Sequence, residues 1–149
     1  MCGPQTPRPS QSLGGALAVL SPPPSASPVL FSGHLVFHNA PGGSAGSSIA
    51  THATFTASDA SSLEGCMIGI HSTGDLRASE QSREMMLHQF DFGGARPSLA
   101  RSRSTEILLD HPLEIGVGGK GIIGRKISVW RNMGDGEGVR VAEGIVGFN

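Results

Sequence analysis

The stretch Arg125–Asn149, RKISVWRNMGDGEGVRVAEGIVGFN, decides the fold class. Two runs rich in Val and Ile flank RNMGDGEG (131–138), a loop of turn-forming residues. β-Branched and aromatic residues fit a pleated, half-buried surface. Gly and Asp supply the backbone angles that a hairpin reversal needs. The chain therefore closes with a long antiparallel hairpin, whose loop carries Arg131, Asp135 and Glu137.

Working back from that hairpin, the same signature recurs. Leu30–His38 (LFSGHLVFH) sets Leu35 and Phe37 on one face against His34, Val36 and His38 on the other. Ile49–Ala57 (IATHATFTA) alternates Ile49, Thr51, Ala53 and Phe55 against Ala50, His52, Thr54 and Thr56. Leu63–His71 (LEGCMIGIH) is a further run, in which Gly65 and Gly69 mark a bulge or a close backbone approach. In Glu84–Phe92 (EMMLHQFDF), Met, Leu and Glu favour helix, whereas the alternate set Met86, His88, Phe90 and Phe92 favours strand. Its Gly93–Gly94 boundary decides for strand. Thr105–Asp110 and Leu113–Val117 read as two short strands broken at Pro112, and Gly116–Gly124 reads as a Gly-rich turn. About eight strands with no clear helix predict an all-β, eight-stranded antiparallel barrel, an arrangement that removes exposed sheet edges.

At 149 residues the chain is one domain by length. Residues 1–28 are rich in Pro, Ser and Gly and are expected to be a disordered leader, with the folded domain spanning 29–149. The leader's apolar run, Leu13–Leu20, is short for a signal peptide, and Arg8 is the only basic residue before it. No stretch reaches the roughly 20 apolar residues of a membrane helix. With 15% charged residues and a net charge of -1, the composition argues against partners held by electrostatics, nucleic acid or a membrane surface. Cys2 and Cys66 give no metal spacing, and a disulfide between them is not expected.

The motifs that could carry chemistry are weak. GVGGKGIIGRK (116–126) lacks the Ser or Thr after Lys120 that a phosphate loop requires. Gly43-Ser44-Ala45-Gly46 has the wrong spacing for a nucleophile elbow. His34 and His38 share a strand face about 13 Å apart, too far for one metal ion, so no metal or cofactor is expected. Asp59, Asp91, Asp110, Asp135 and Glu137 are candidate carboxylates by residue type, since carboxylates at strand ends can converge on a barrel mouth.

The order of these segments resembles the dirigent family of plants. LVFHN (35–39) stands where that family has a strand ending in His-Asp; His38 matches and Asn39 replaces the Asp. DASSLEGCMIGIH (59–71) is similar to the family's D-P-S-S turn and following strand through Asp59, Ser61, Ser62, Gly65 and Gly69. MMLHQFDFGG (85–94) is similar to its Phe-rich strand. ISVWRNMGDGEGVRVAEG (127–144) resembles I-S-V-V-G-G-T-G-x-F-x-x-A-x-G at both ends, through Ile127, Ser128, Val129, Ala142 and Gly144, with a longer loop between.

The resemblance spans residues 33–148. It implies an eight-stranded barrel of the allene-oxide-cyclase type that binds phenoxy radicals or quinone methides and directs stereoselective coupling in phenylpropanoid (lignan or lignin) metabolism or defence. A separate oxidase would supply the radicals, so the chain would have no oxidative activity of its own. It also implies a homotrimer and an apoplastic location; without a convincing signal peptide, a cytoplasmic one stays open. Asp59 would be the acid or hydrogen-bond donor, Arg131 would hold a phenolate, and His38 would line the barrel. Asn39 and the absence of Tyr remove groups that promote ring closure in the family, which leaves coupling control, or the loss of both activities, as what the resemblance implies. Two alternatives compete: a hotdog-fold acyl-CoA thioesterase, whose closing hairpin is similar but which needs one long central helix, and a β-barrel interaction module without catalysis.

Overall fold

Every regular element is a β-strand in the computed structural model of the chain, which describes residues 14–24, 31–40, 47–57, 65–76, 86–92, 96–97, 104–132 and 138–149. The strands are β1 (Ala16–Leu20), β2 (Gly33–His38), β3 (Ile49–Ala57), β4 (Cys66–His71), β5 (Met86–Asp91), β6 (Arg96–Pro97), β7 (Ser104–Glu114), β8 (Lys126–Asn132) and β9 (Gly138–Phe148). They pair antiparallel in the order β5-β4-β8-β9-β1-β2-β3-β7-β6. Apart from the two-residue β6, that makes eight strands, as expected.

The sheet curls into a nearly closed barrel. Its first strand, β5, comes back to β7 near its other end: His88 Nδ1 and His111 Nε2 are hydrogen-bonded at 3.0 Å across the seam. Inside, Phe37 of β2 meets Phe90 of β5 edge to face, with ring centroids 6.0 Å apart, although five strand-to-strand steps along the sheet separate them. Such contacts identify the inward face. It carries Ala16, Ala18 and Leu20 of β1, Leu35 and Phe37 of β2, Cys66, Ile68 and Ile70 of β4, and Ile127 and Val129 of β8, all buried. At the level of Phe37 and Phe90 the interior is filled by side chains.

The closing hairpin is present: β8 and β9 pair from Lys126↔Ile145 to Asn132↔Gly138. Its loop residues 133–137, including Asp135 and Glu137, lie outside the described residues. A register shift between Val129 and Trp130 makes Val141 the extra residue of a bulge on β9.

Three expectations are corrected. Residues 1–28 are not all a leader outside the fold. Ala16–Leu20 is a strand near the middle of the sheet, paired with β2 through Ala16↔Phe37 and with β9 through Ala16↔Phe148. The run is short for a membrane-type segment but right for a strand, and its alternation buries Ala16, Ala18 and Leu20 while Val19 faces solvent. Gly15 precedes it with φ 117°, where a Cβ would strike the Phe37 carbonyl.

Pro112 does not break the chain into two strands; β7 runs through it. Opposite β3, the register jumps from His52↔Leu108 to Ala50↔Leu113. Pro112 lies in the unpaired excess, where its missing N–H costs no ladder bond. The same shift turns β3 over: Ala53, Phe55 and Ala57 point inward as part of one alternation, and beyond it Ala50, not Ile49, is buried.

The hotdog alternative fails on its central requirement. Between residues 30 and 110 the described segments contain no helix, and the longest undescribed stretch is 77–85. Glu84–Phe92, open to either reading by composition, is strand from Met86 to Asp91.

Candidate functional site

Two groupings could carry function: the inward aromatic side chains leading to one end of β8, and a buried polar cluster on the outward face of β4, β8 and β9.

The first follows from alternation. Phe37, Phe90 and Phe92 form a chain of rings, with Phe90 and Phe92 centroids 6.2 Å apart. The Phe92 N–H donates to the Cys66 carbonyl at 3.1 Å. Cys66 pairs in register with Arg131, and both lie in the inward alternation of their strands. Cys66 is fully buried. Burial raises its thiol pKa above the ordinary value, and a hydrogen bond and the positive charge of Arg131 oppose that rise. Arg131 is half-buried at the end of the apolar part of β8, with its neighbour Asn132 exposed. This places a guanidinium beside the aromatic interior, an arrangement suited to the flat face and anionic edge of a phenolate.

Of the other site residues expected from the sequence, His38 is not brought to that place. His38 does not line the barrel. Leu35 and Phe37 take the inward positions of β2, so His38 projects outward, stacks on His52 with centroids 5.7 Å apart, and is hydrogen-bonded to Thr54 Oγ1 at 2.8 Å. Asp59 lies outside the described residues. Asn39, in the position of the family's Asp, accepts a hydrogen bond from Thr51 Oγ1 at 3.1 Å and so ties the end of β2 to β3.

The second grouping is one that sequence reasoning missed. In β8 the residues Lys126, Ser128 and Trp130 face outward, opposite Ile127 and Val129, yet all five are buried. His71 Nε2 and Ser128 Oγ are hydrogen-bonded at 2.9 Å. Lys126 Nζ lies 3.5 Å from Glu143 Oε2, and Arg140 Nη1 lies 3.5 Å from the same oxygen. Trp130 packs against His71 with ring centroids 5.8 Å apart. Gly69 permits this packing, because a Cβ there would meet the Trp130 ring and Met86. Burial, then the positive charges of Lys126 and Arg140, push the His71 pKa down, which keeps the imidazole neutral; Glu143 opposes them.

A neutral His bonded to a Ser has the composition of a nucleophile and its base. The geometry argues against that role. Ser128 has no exposure and His71 has 3%, so no substrate reaches the hydroxyl. Ser128 also sits mid-strand, not on a strained turn. The cluster is a buried polar network that fixes register among β4, β8 and β9. Its sequence signal was the K-x-S-x-W alternation within KISVW, interleaved with the Ile and Val that point inward.

The Gly-rich segment 116–124 is a turn, as expected, with Gly118, Gly119 and Gly124 at positive φ. Arg125 pins it, donating from its guanidinium to the carbonyls of Gly119, Gly121 and Ser72. Among the described residues no group of three or more His, Cys, Asp or Glu side chains is arranged to hold a metal ion, and no helix is long and apolar enough to cross a membrane. No protein-family model matches the chain. No curated protein matches it either.

Proposed function

We propose that the chain is a dirigent-type barrel protein that binds a flat phenolic radical or quinone methide and fixes the face on which it couples. The observation that carries this reading is the run of inward rings, Phe37, Phe90 and Phe92, leading to Cys66 and the half-buried Arg131. Rings at these positions offer stacking surface, and the guanidinium offers a charge-assisted hydrogen bond to a phenolate oxygen. Because Phe37 and Phe90 fill the barrel at their own level, the guest sits towards the Arg131 end. Control of this kind is proximity and orientation, not bond chemistry. A separate oxidase generates the radicals, and the protein presents one face of each. Asp59 remains the proposed acid if quinone methide closure occurs.

The reading is tested by oxidising coniferyl alcohol with a one-electron oxidase in the presence and absence of the protein, and resolving the coupled products by chiral chromatography. An enantiomeric excess that scales with protein concentration supports it. A racemic profile unchanged by the protein, together with no perturbation of Trp130 fluorescence or of the Phe resonances by the alcohol, favours the interaction-module alternative.

A further inference from the structure

We propose that His88 and His111 form a two-histidine clip for a divalent transition-metal ion of the zinc, nickel or copper type, which staples the barrel along its seam. The seam needs a staple. Strand β5 ends the strand order on one side, β7 is next to last on the other, flanked by the two-residue β6, and no backbone ladder among the described residues joins β5 to β7. What spans the gap is the His88–His111 pair, with ring centroids 5.2 Å apart and Nδ1 to Nε2 at 3.0 Å.

That separation fits two ligands of one ion. Metal–imidazole bonds of about 2.0–2.1 Å place the two nitrogens about 2.9 Å apart at a right angle and about 3.3 Å apart at the tetrahedral angle. Imidazole suits zinc, copper and nickel, whereas magnesium and calcium require oxygen ligands. His111 is exposed, so an ion reaches it from solvent and its ring is able to swing until both lone pairs converge. His88 is half-buried, and its other ring nitrogen, Nε2, is buried with no hydrogen-bond partner among the described residues.

In the metal-free pair, one neutral ring donates to the other. On binding, the donor moves its proton to its far nitrogen, so both rings stay neutral and no net proton is lost. Glu114 adds favourable charge nearby and Arg125 opposes it. Among the described residues no third His, Cys, Asp or Glu completes a cage. Water fills the remaining positions, so the ion exchanges readily.

The test uses the untagged full chain, stripped with chelator, at slightly alkaline pH. Nickel or zinc is titrated by calorimetry and by thermal unfolding, with magnesium as the control. One ion per chain, a higher Tm and slower hydrogen exchange in β5 are expected. His111→Gln, a change at an exposed position, weakens binding by more than about tenfold. His52→Gln, which alters the other histidine pair, leaves it unchanged. Absence of metal stabilisation, or equal binding by His111→Gln and the parent chain, overturns the proposal.

Discussion

Lys126 and Glu143 face each other across β8 and β9 with Nζ 3.5 Å from Oε2, and both side chains are at least nine-tenths buried on the outward face of the barrel. Among the described residues neither atom has a closer hydrogen-bond partner. The pair therefore holds two desolvated charges together by Coulomb attraction, with Arg140 as a second cation on the same carboxylate. Removing one partner costs more than removing both, because a lone buried charge is left behind.

Glu143→Leu is accordingly expected to destabilise the fold by about 3–5 kcal/mol, and Lys126→Met by clearly less, since Arg140 still neutralises Glu143. The double variant Lys126→Met/Glu143→Leu should recover most of the loss. Urea unfolding of the four proteins in a double-mutant cycle measures this. Equal losses for both single variants and an additive double variant contradict the coupling.

His71 makes stability depend on pH. Its folded pKa is lowered from 6.5 by burial and by the charges of Lys126 and Arg140. Below about pH 6.5 the unfolded chain takes up a proton that the folded chain resists, so this contribution is present above that pH and lost as pH falls. The loss approaches about 1.4 kcal/mol per pH unit for one proton. His88, also shifted down, first by burial and then by His111, adds with the same sign. His71→Gln keeps a hydrogen-bonding group beside Ser128 but does not titrate. Urea midpoints between neutral and mildly acidic pH should therefore fall less steeply in that variant than in the parent.

Membership of β1 in the sheet is tested by two neighbouring changes. Leu20 is 1% exposed and Val19 57% exposed. Leu20→Ala should cost about 2–5 kcal/mol, through lost transfer energy and the space it leaves. Val19→Ala should change stability by about 0.5 kcal/mol or less. A leader outside the fold would make both changes neutral in chemical unfolding.

Arg131→Gln should abolish any enantiomeric excess in radical coupling and weaken phenol binding while leaving the circular dichroism of the barrel intact, because the residue is only half-buried at the end of its strand. Retained stereocontrol in this variant removes Arg131 from the proposed site.

The thiol of Cys66 should react slowly with a water-soluble disulfide reagent in the folded protein and rapidly after denaturation. Burial both shields it and raises its pKa, so little thiolate is present near neutral pH. Rapid labelling of native protein at Cys66, located by peptide mapping, contradicts this.

Much of the architecture was legible in the chain. The alternation in LVFH and KISVW, the hairpin around residues 131–138 and the Gly-rich 116–124 turn all read directly as β-structure, because strand periodicity is local. Leu13–Leu20 misled, since the Pro/Ser-rich residues around it outweighed its own two-residue period. Pro112 misled because its bulge exists only against β3. His38 was placed inside the barrel by likeness of position, whereas the two-residue period puts it opposite Phe37.

The amino-acid order alone determined that this is an all-β chain and which residues of each regular strand share a face, since side-chain direction alternates with every residue. Only the tertiary structure decided which face turns inward in β8, that His71, Lys126, Ser128 and Glu143 meet, and that His88 and His111 close the seam. Those relationships arise from strand order, register shifts and curvature, which bring together residues far apart in sequence and leave no mark in local pattern.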